Sequence, residues 1–255
     1  MKLLTLNLHC MAEENIPEKQ ERITKAIIDN DIDVVFFQEV AQSLTSKKLN
    51  NMMREDNYGL TIIKKLRKQG LEYDYYFETT NLSFGSYEEG LMIISKYPLI
   101  NRKCTFVSEM KDFSNWSVRK HLCADIKHND TIITLSTVHL GWTEGIEVFE
   151  NQVDLLIDNI DQNHLNILAG DFNVSSKSSS YEYLKGKNLY DLFALNGETD
   201  KHTPTHLKNM DTHKGETRID YIFANNSVDV IDKKIFFNKN LVSDHYAVFL
   251  EIKFQ

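Results

Sequence analysis

The sequence predicts an α/β protein in which short apolar strands alternate with amphipathic helices. Mostly apolar runs at residues 34–37 and 165–169 have the length and composition of buried strands. Residues 17–30 and 144–160 instead place their apolar side chains at a helical period. No linker rich in proline, glycine or serine interrupts the 255 residues, which contain three prolines. We therefore expect a single domain over residues 1–255.

The expected elements follow one another along the whole chain. Helices are expected over residues 17–30, within 60–69 and over 144–160. The serine-rich stretch at 175–180 is expected to be a loop. Strands are expected at residues 3–6, 34–37, 73–77, 91–95, 104–107, 121–126, 132–135, 165–169, 221–223 and 246–252. Strand clusters separated by helices indicate packed layers of sheet and helix.

Composition favours a globular protein that acts on a small substrate. The hydrophobic share of 42% supports a substantial core. The longest apolar runs fall far short of the ~20 residues that span a bilayer, so no membrane span is expected. The formal net charge is −8, whereas nucleic-acid-binding proteins usually present a basic surface to phosphates. This charge favours a small substrate over long DNA but leaves an acidic nuclease as an open alternative.

The start of the chain and its cysteines indicate a cytoplasmic protein. Lys2 leads directly into the first expected strand, without the basic and apolar leader of a secretory signal peptide. Cys10, Cys104 and Cys123 cannot all pair with one another, and their spacing fits no metal motif. Free thiols in a reducing cytosol are the simplest interpretation. The sequence does not indicate an oligomeric state.

Acidic, amide and imidazole side chains stand at the ends of the apolar runs. Strand ends on one edge of a folded sheet can bring residues from both termini into one cleft. Hard-cation ligands, a carboxylate base and two histidines in one cleft predict metal-assisted hydrolysis of a phosphoester. The six blocks that carry these side chains are Leu6-Asn7-Leu8-His9, Gln38-Glu39-Val40, Thr137-Val138-His139-Leu140, Gly170-Asp171-Phe172-Asn173, Arg218-Ile219-Asp220-Tyr221 and Ser243-Asp244-His245.

Two of these blocks offer oxygen ligands for a cation. Glu39 follows four apolar residues and a glutamine, so a carboxylate is expected at a strand end where a core residue would otherwise stand. Asn7 supplies an oxygen that can contact the same cation or its water shell. Mg²⁺ suits one or two carboxylates together with water and substrate phosphate, and Mn²⁺ can replace it.

The six blocks, in this order, resemble the endonuclease/exonuclease/phosphatase superfamily. The resemblance runs from Asn7 to His245, which is nearly the whole chain. It implies a deoxyribonuclease I-like fold, a four-layer α/β/β/α sandwich in which helices flank two packed, mostly antiparallel sheets. It also implies a hydrolase that acts on phosphoesters.

The resemblance assigns expected roles to the remaining residues of the blocks. Asp171 is the expected general base or water-orienting carboxylate, and Asn173 is expected to position the water or a phosphate oxygen. His139 and His245 are expected to donate hydrogen bonds to the phosphate, with Asp220 keeping His245 protonated and oriented. The carboxylate of Asp244 is expected to reach the cation held by Glu39, or a second cation.

Five further positions have weaker support. Glu89 resembles a glutamate that orients the central histidine in some relatives, and Arg119 resembles an arginine that binds phosphate. Trp116, Trp142 and Tyr87 lie beside the blocks, where flat aromatic faces could hold a sugar ring. Each aromatic side chain could equally fill the core or wall the cleft.

The local sequences most resemble those of bacterial maltose 6'-phosphate phosphatases. This resemblance is carried by Tyr87-Glu88-Glu89-Gly90-Leu91, Trp116-Ser117-Val118-Arg119-Lys120 and His139-Leu140-Gly141-Trp142. It implies a cytosolic phosphatase of sugar phosphates. The alternatives are a phosphodiesterase of the same superfamily, acting on nucleic acid or a sphingomyelin-type lipid, and a binding module that retains only the fold.

Overall fold

The computed structural model describes residues 1–194, 205–209 and 214–254. They form four helices, two six-stranded sheets and a two-stranded hairpin. The helices are α1 (Ile16–Asp29), α2 (Tyr58–Lys68), α3 (Phe149–Asp158) and α4 (Ser179–Lys185). The strands are β1 (Lys2–Asn7), β2 (Val34–Ser43), β3 (Asp74–Ser83), β4 (Tyr87–Ser95), β5 (Ile100–Phe106), β6 (Lys120–His128), β7 (Thr131–His139), β8 (Leu165–Asp171), β9 (Tyr190–Asp191), β10 (His206–Asn209), β11 (Lys214–Thr217), β12 (Asp220–Ala224), β13 (Asp229–Phe236) and β14 (Ala247–Lys253).

Each large sheet has one parallel pair of strands near its centre and is otherwise antiparallel. The first sheet has the order β13-β14-β1-β2-β4-β3, and the second has the order β5-β6-β7-β8-β12-β9. Strands β1 and β2 are parallel, as are β7 and β8. A helix connects each parallel pair, α1 in the first sheet and α3 in the second. The hairpin consists of β10 and β11.

Both large sheets are covered on both faces. In β2, Val34 and Phe36 pack into the core between the sheets, whereas Val35 and Phe37 pack against α1 and α2. This alternation follows from the two-residue period of a strand. A third core lies between the second sheet and helices α3 and α4. The predicted four-layer α/β/β/α sandwich is therefore confirmed.

Most of the expected elements are present, but several differ in extent and the short strands β9, β10 and β11 were not expected. The helix expected over 144–160 is shorter, at Phe149–Asp158. The stretch 175–180 is not all loop, because α4 begins at Ser179 and the side chain of Ser178 accepts a hydrogen bond from the Tyr181 N–H. Strand β2 extends to Ser43 and passes through Glu39. Strand β13 was not expected, since it mixes charged and apolar residues and lies at an exposed sheet edge.

The three cysteines are free, as expected. Cys10 is fully buried.

Buried His121 makes the fold sensitive to acid. Its Nε2 lies 2.9 Å from Ser136 Oγ, and burial lowers the pKa of His121 to about 4. Between this pH and the ordinary value of 6.5, the unfolded chain binds a proton that the folded chain does not. The free energy of unfolding should therefore fall by about 3 kcal/mol as the pH falls from 6.5 to 4.

Urea unfolding of the wild type and of His121→Gln at pH 7.5 and pH 5 measures this effect. The variant should lose less stability on acidification than the wild type does. His164→Gln is the control, because His164 lies in a partly exposed loop. An equal loss of stability in the wild type and His121→Gln would show that another group causes the acid sensitivity.

Candidate active site

The topology brings the ends of five strands to one edge of the sandwich. Asn7 ends β1 and Asp171 ends β8, while Asp220 begins the antiparallel neighbour β12 and pairs with Asp171. His245 lies two residues before β14, the antiparallel neighbour of β1. His139, the last residue of β7, is in register with Asp171. The six sequence blocks therefore meet at a single site.

A cleft of about 540 Å³ opens at this edge. Below it, Gln38 of the first sheet donates from Nε2 to Thr137 Oγ1 of the second sheet at 2.9 Å, and both side chains are buried. This hydrogen bond ties the sheets together beneath the site. The cleft is lined by His9, Glu39, Asn81, Leu82, Ser83, Phe84, Glu89, Ser114, Trp116, Arg119, His139, Trp142, Asp171, Asn173, Asp244 and His245.

Glu39 reaches the cleft from a β-bulge and not from a strand end, so the expected position was wrong. In the pairing of β2 with β4, Phe37 lies opposite Met92 and Val40 lies opposite Gly90, which leaves an extra residue in β2. Glu39 has a φ of 51°, in the left-handed region. A bulge of this kind re-aims a side chain that regular alternation would point elsewhere.

The amide of Asn7 connects two carboxylates. Its Nδ2 donates to Glu39 Oε1 at 2.8 Å and to Asp171 Oδ2 at 3.0 Å. Its Oδ1 accepts from the His9 N–H at 2.9 Å. An amide oxygen has two lone pairs, so this bond still leaves Asn7 Oδ1 able to contact a cation as expected. In this arrangement Asn7 orients Glu39 and Asp171.

Asp171 lies at the centre of the site. Besides the bond from Asn7, its Oδ1 accepts from the Asn173 N–H at 2.8 Å. Its Oδ2 lies 3.6 Å from His139 Nε2 and 3.7 Å from His245 Nε2. Burial, and then the charge of Asp220, raise the pKa of Asp171 to about 7. One carboxylate is thus held within reach of both histidines.

The side chain of Asn173 leaves an oxygen available in the cleft. Its Nδ2 donates to the Leu140 carbonyl at 2.9 Å, which fixes the amide. Its Oδ1 is buried and has no hydrogen-bond partner in the described part of the chain. Asn173 has a φ of 53°, which turns the chain after Asp171. A free amide oxygen beside a carboxylate suits the binding of a water or a substrate hydroxyl.

The two histidines have opposite charge preferences. His245 Nδ1 lies 2.9 Å from Asp220 Oδ2, so the expected contact between these residues is present. Burial lowers the pKa of His245, but the charges of Asp220 and Asp171 outweigh burial and hold it well above its ordinary value. Burial, and then the positive charges of Arg119 and His245, hold the pKa of His139 well below its ordinary value. These shifts favour the protonated form of His245 and the neutral form of His139.

Glu89 lies in the cleft but does not contact His139 as expected. Instead, His139 Nδ1 lies 4.0 Å from Glu39 Oε1. Burial, and then the charge of Glu39, raise the pKa of Glu89 to about 8, and the positive charge of Arg119 opposes this rise. Glu89 therefore interacts electrostatically with Glu39, which repels it, and with Arg119, which attracts it.

Arg119 is buried at the wall of the cleft. Its Nη1 donates to the carbonyl oxygens of Trp116 and Val118, at 3.0 and 3.3 Å. Its Nε has no partner among the described residues. The guanidinium carbon lies 6.0 Å from the centroid of the Trp116 ring. A buried arginine with an unused N–H suits the binding of an anionic oxygen.

Aromatic side chains border the cleft on its solvent side. Trp116 and Trp142 are 54% and 46% exposed. Tyr87, which we expected beside them, does not line the cleft. Phe84, which is 73% exposed at the turn between β3 and β4, lines it instead. His9 also lines the cleft. In the sequence, the one indication of this was its position two residues after Asn7.

The acidic residues of the cleft fit a divalent cation. The oxygens of Glu39 and Asp244 are the hard ligands that Mg²⁺ and Mn²⁺ prefer. Burial, and then the charges of neighbouring carboxylates, raise the pKa values of Asp171 and Glu89. A cation bound among these acidic groups would stabilise their charged forms.

Comparison with known proteins identifies relatives over the whole chain. The model of the endonuclease/exonuclease/phosphatase family matches residues 4–245. An endonuclease/exonuclease/phosphatase family protein from Leptotrichia buccalis superposes with a TM-score of 0.92 at 26% identity, and the match covers 100% of both chains. A search of curated proteins gave no match.

Two solved structures with different substrates share the fold. A mannosyl-6-phosphatase from Bacteroides thetaiotaomicron superposes with a TM-score of 0.67 at 18% identity, with 100% of both chains covered. TDP2 from D. rerio, in complex with a single-strand DNA product, superposes with a TM-score of 0.73 at 13% identity, with 100% of this chain and 99% of that chain covered. None of the described helices is both long and apolar enough to cross a membrane.

Proposed function

This chain belongs to the endonuclease/exonuclease/phosphatase family, whose members hydrolyse phosphoesters, and we propose that it is a phosphatase of sugar phosphates. The proposed substrate class is a phosphorylated disaccharide of the maltose 6'-phosphate type. The proposed cofactor is Mg²⁺, which Mn²⁺ can replace, and the proposed location is the cytoplasm.

The charge of the cleft is the observation that carries the preference for a small substrate. Among the described residues that line it, Arg119 is the one lysine or arginine, and it faces Glu39, Glu89, Asp171 and Asp244. A nuclease that grips a long polyanion needs several cationic side chains along a groove. One buried arginine and a metal site are sufficient for a single phosphate group.

The aromatic border of the cleft supports a sugar as the group attached to that phosphate. Trp116 and Trp142 are about half exposed and lie within the same cleft as the phosphate-binding residues. Indole faces pack well against the apolar C–H face of a sugar ring. The mannosyl-6-phosphatase with the same fold is consistent with this substrate class.

The side chains of the cleft would have different roles in hydrolysis. Asp171 is held by Asn7 and by the Asn173 backbone, so its carboxylate can orient a water and take its proton. The free Oδ1 of Asn173 would hold the same water. His245, kept cationic by Asp220, would donate to a phosphate oxygen as charge develops there.

Five further residues would complete the phosphate site. Neutral His139 would donate one N–H to the phosphate, and Arg119 would bind another oxygen. Glu39 and Asp244 would hold the cation, which supplies charge neutralisation at the phosphoryl group. Glu89, beside Glu39 and Arg119, would orient both.

A substrate panel tests the proposal. Phosphate release with Mg²⁺ is measured on mono- and disaccharide phosphates, beside nicking of plasmid DNA and cleavage of a choline phosphodiester. We expect selective release from a disaccharide phosphate. Cleavage of a diester without phosphate release from any sugar phosphate would instead assign the chain to the phosphodiesterases of the family. Inactivity on every substrate would favour a binding module.

A further inference from the structure

A second histidine held by a buried carboxylate borders the cleft. His9 Nδ1 lies 2.6 Å from Glu13 Oε1, and Glu13 is only 7% exposed. Lys19 pairs with the other carboxylate oxygen of Glu13, which leaves Oε1 for the imidazole. The arrangement repeats the contact between Asp220 and His245 on another side of the cleft. Such a contact fixes the orientation of an imidazole ring.

The backbone is also shaped to place His9. His9 and Cys10 have φ values of 55° and 52°, a region that non-glycine residues seldom adopt. The His9 N–H donates to Asn7 Oδ1 at 2.9 Å, and the His9 carbonyl accepts from the Ala12 N–H at 3.1 Å. Strained backbone of this kind persists where its surroundings fix it, and it is concentrated at functional sites.

The imidazole held in this way contacts Asp244. His9 Nδ1 lies 3.5 Å from Asp244 Oδ1. The same oxygen accepts from Ser243 Oγ at 3.2 Å and lies 3.9 Å from His245 Nε2. Ser243 donates a hydrogen bond to this oxygen, and two imidazole nitrogens lie at ion-pair distance from it. His9 and His245 each have a buried carboxylate behind them, Glu13 and Asp220.

We propose that His9 is a positioning residue that, with Glu13 behind it, holds the Asp244 carboxylate in the orientation that binds the divalent cation. The inference rests on the proposed function, because it requires a cation at Asp244. His9 then acts through Asp244 and not on the substrate. Groups that orient a metal ligand commonly contribute roughly 10- to 100-fold to metal affinity.

Calorimetric titration of the full chain with Mn²⁺ alone tests this role. His9→Ala and Glu13→Gln should each weaken the affinity by about 10-fold or more. The double variant should bind no more weakly than His9→Ala, since both changes break the same contact. His9→Asn should recover most of the affinity, because its amide can occupy the place of Nδ1. Glu14→Gln is the matched control, since it removes the same charge from an exposed neighbour.

Several results would overturn the inference. One is equal Mn²⁺ affinity in the wild type, His9→Ala and His9→Asn. Additive losses of Mn²⁺ affinity in the double variant would show that Glu13 and His9 act independently. The loss of one of two bound Mn²⁺ equivalents in His9→Ala would make His9 a ligand of a second cation. A wild type that binds no Mn²⁺ would overturn the proposed function itself, so the two failures are distinguishable. Thermal unfolding without Mn²⁺ verifies that the variants fold, and His9→Asn provides the test if His9→Ala does not.

Discussion

Asp171→Asn is expected to lower phosphoester turnover by at least ~10²-fold, because it removes the carboxylate that would accept the proton of the attacking water. The variant keeps the size of a side chain that is buried at the centre of the site and hydrogen-bonded to Asn7 and Asn173. We therefore expect the fold to persist. Steady-state kinetics of phosphate release, with circular dichroism to verify the fold, measures the effect.

The control for this change is Asp161→Asn, which makes the same substitution at an exposed aspartate in a loop. Its turnover should equal that of the wild type. Near-normal turnover in a folded Asp171→Asn would remove Asp171 from the mechanism.

Glu39→Gln is expected to raise the Mg²⁺ concentration that gives half-maximal activity by at least ~10-fold, since it removes a charged oxygen ligand. The change should not destabilise the chain in the absence of cations. After burial, the charge of Glu39 is the second cause of the raised pKa of Glu89, and the neutral amide removes that repulsion. A Mg²⁺ titration of activity and a melting curve in chelator measure the two effects.

Glu21→Gln is the control here, because Glu21 is an exposed glutamate of α1. If Glu39→Gln has the Mg²⁺ requirement of the wild type, Glu39 is not a ligand. If the melting temperature of Glu39→Gln in chelator is far below that of the wild type, the repulsion between Glu39 and Glu89 does not dominate the stability of the cleft without cations.

The central strands and their polar ends could be predicted from the sequence because they are local features. Strands β1, β7 and β8 are buried runs, and each ends in a polar residue that the core cannot hold: Asn7, His139 and Asp171. The four-layer arrangement, however, came from the family resemblance. Apolar periodicity does not specify which sheet a strand joins.

The features that were missed depend on contacts between distant segments. The bulge at Glu39 exists only in the pairing of β2 with β4, so the sequence around Glu39 resembles a strand end. A second bulge, between Thr79 and Asn81 in the pairing of β3 with β4, changes the local register of that hairpin. A shift of one residue moves a side chain to the other face of a sheet, and the local sequence does not show where such a shift occurs.

The contacts of Glu89 and Asn7 could not be predicted from the sequence either. Both residues lie at the site, as expected, but their partners depend on distances of a few ångströms between elements far apart in the chain. Asn7 could present either end of its amide to the cleft. The bond from the His9 N–H to its oxygen decides between them.

The most direct test of the account is phosphate release from a disaccharide 6-phosphate before and after removal of divalent cations with a chelator. Wild-type chain should release phosphate with Mg²⁺ present, stop when the cation is removed and recover when Mg²⁺ is returned. Asp171→Asn should release phosphate at least ~10²-fold more slowly than the wild type when Mg²⁺ is present. Release that persists without cations, or that continues at the wild-type rate in Asp171→Asn, would contradict a cation-dependent hydrolysis centred on this cleft.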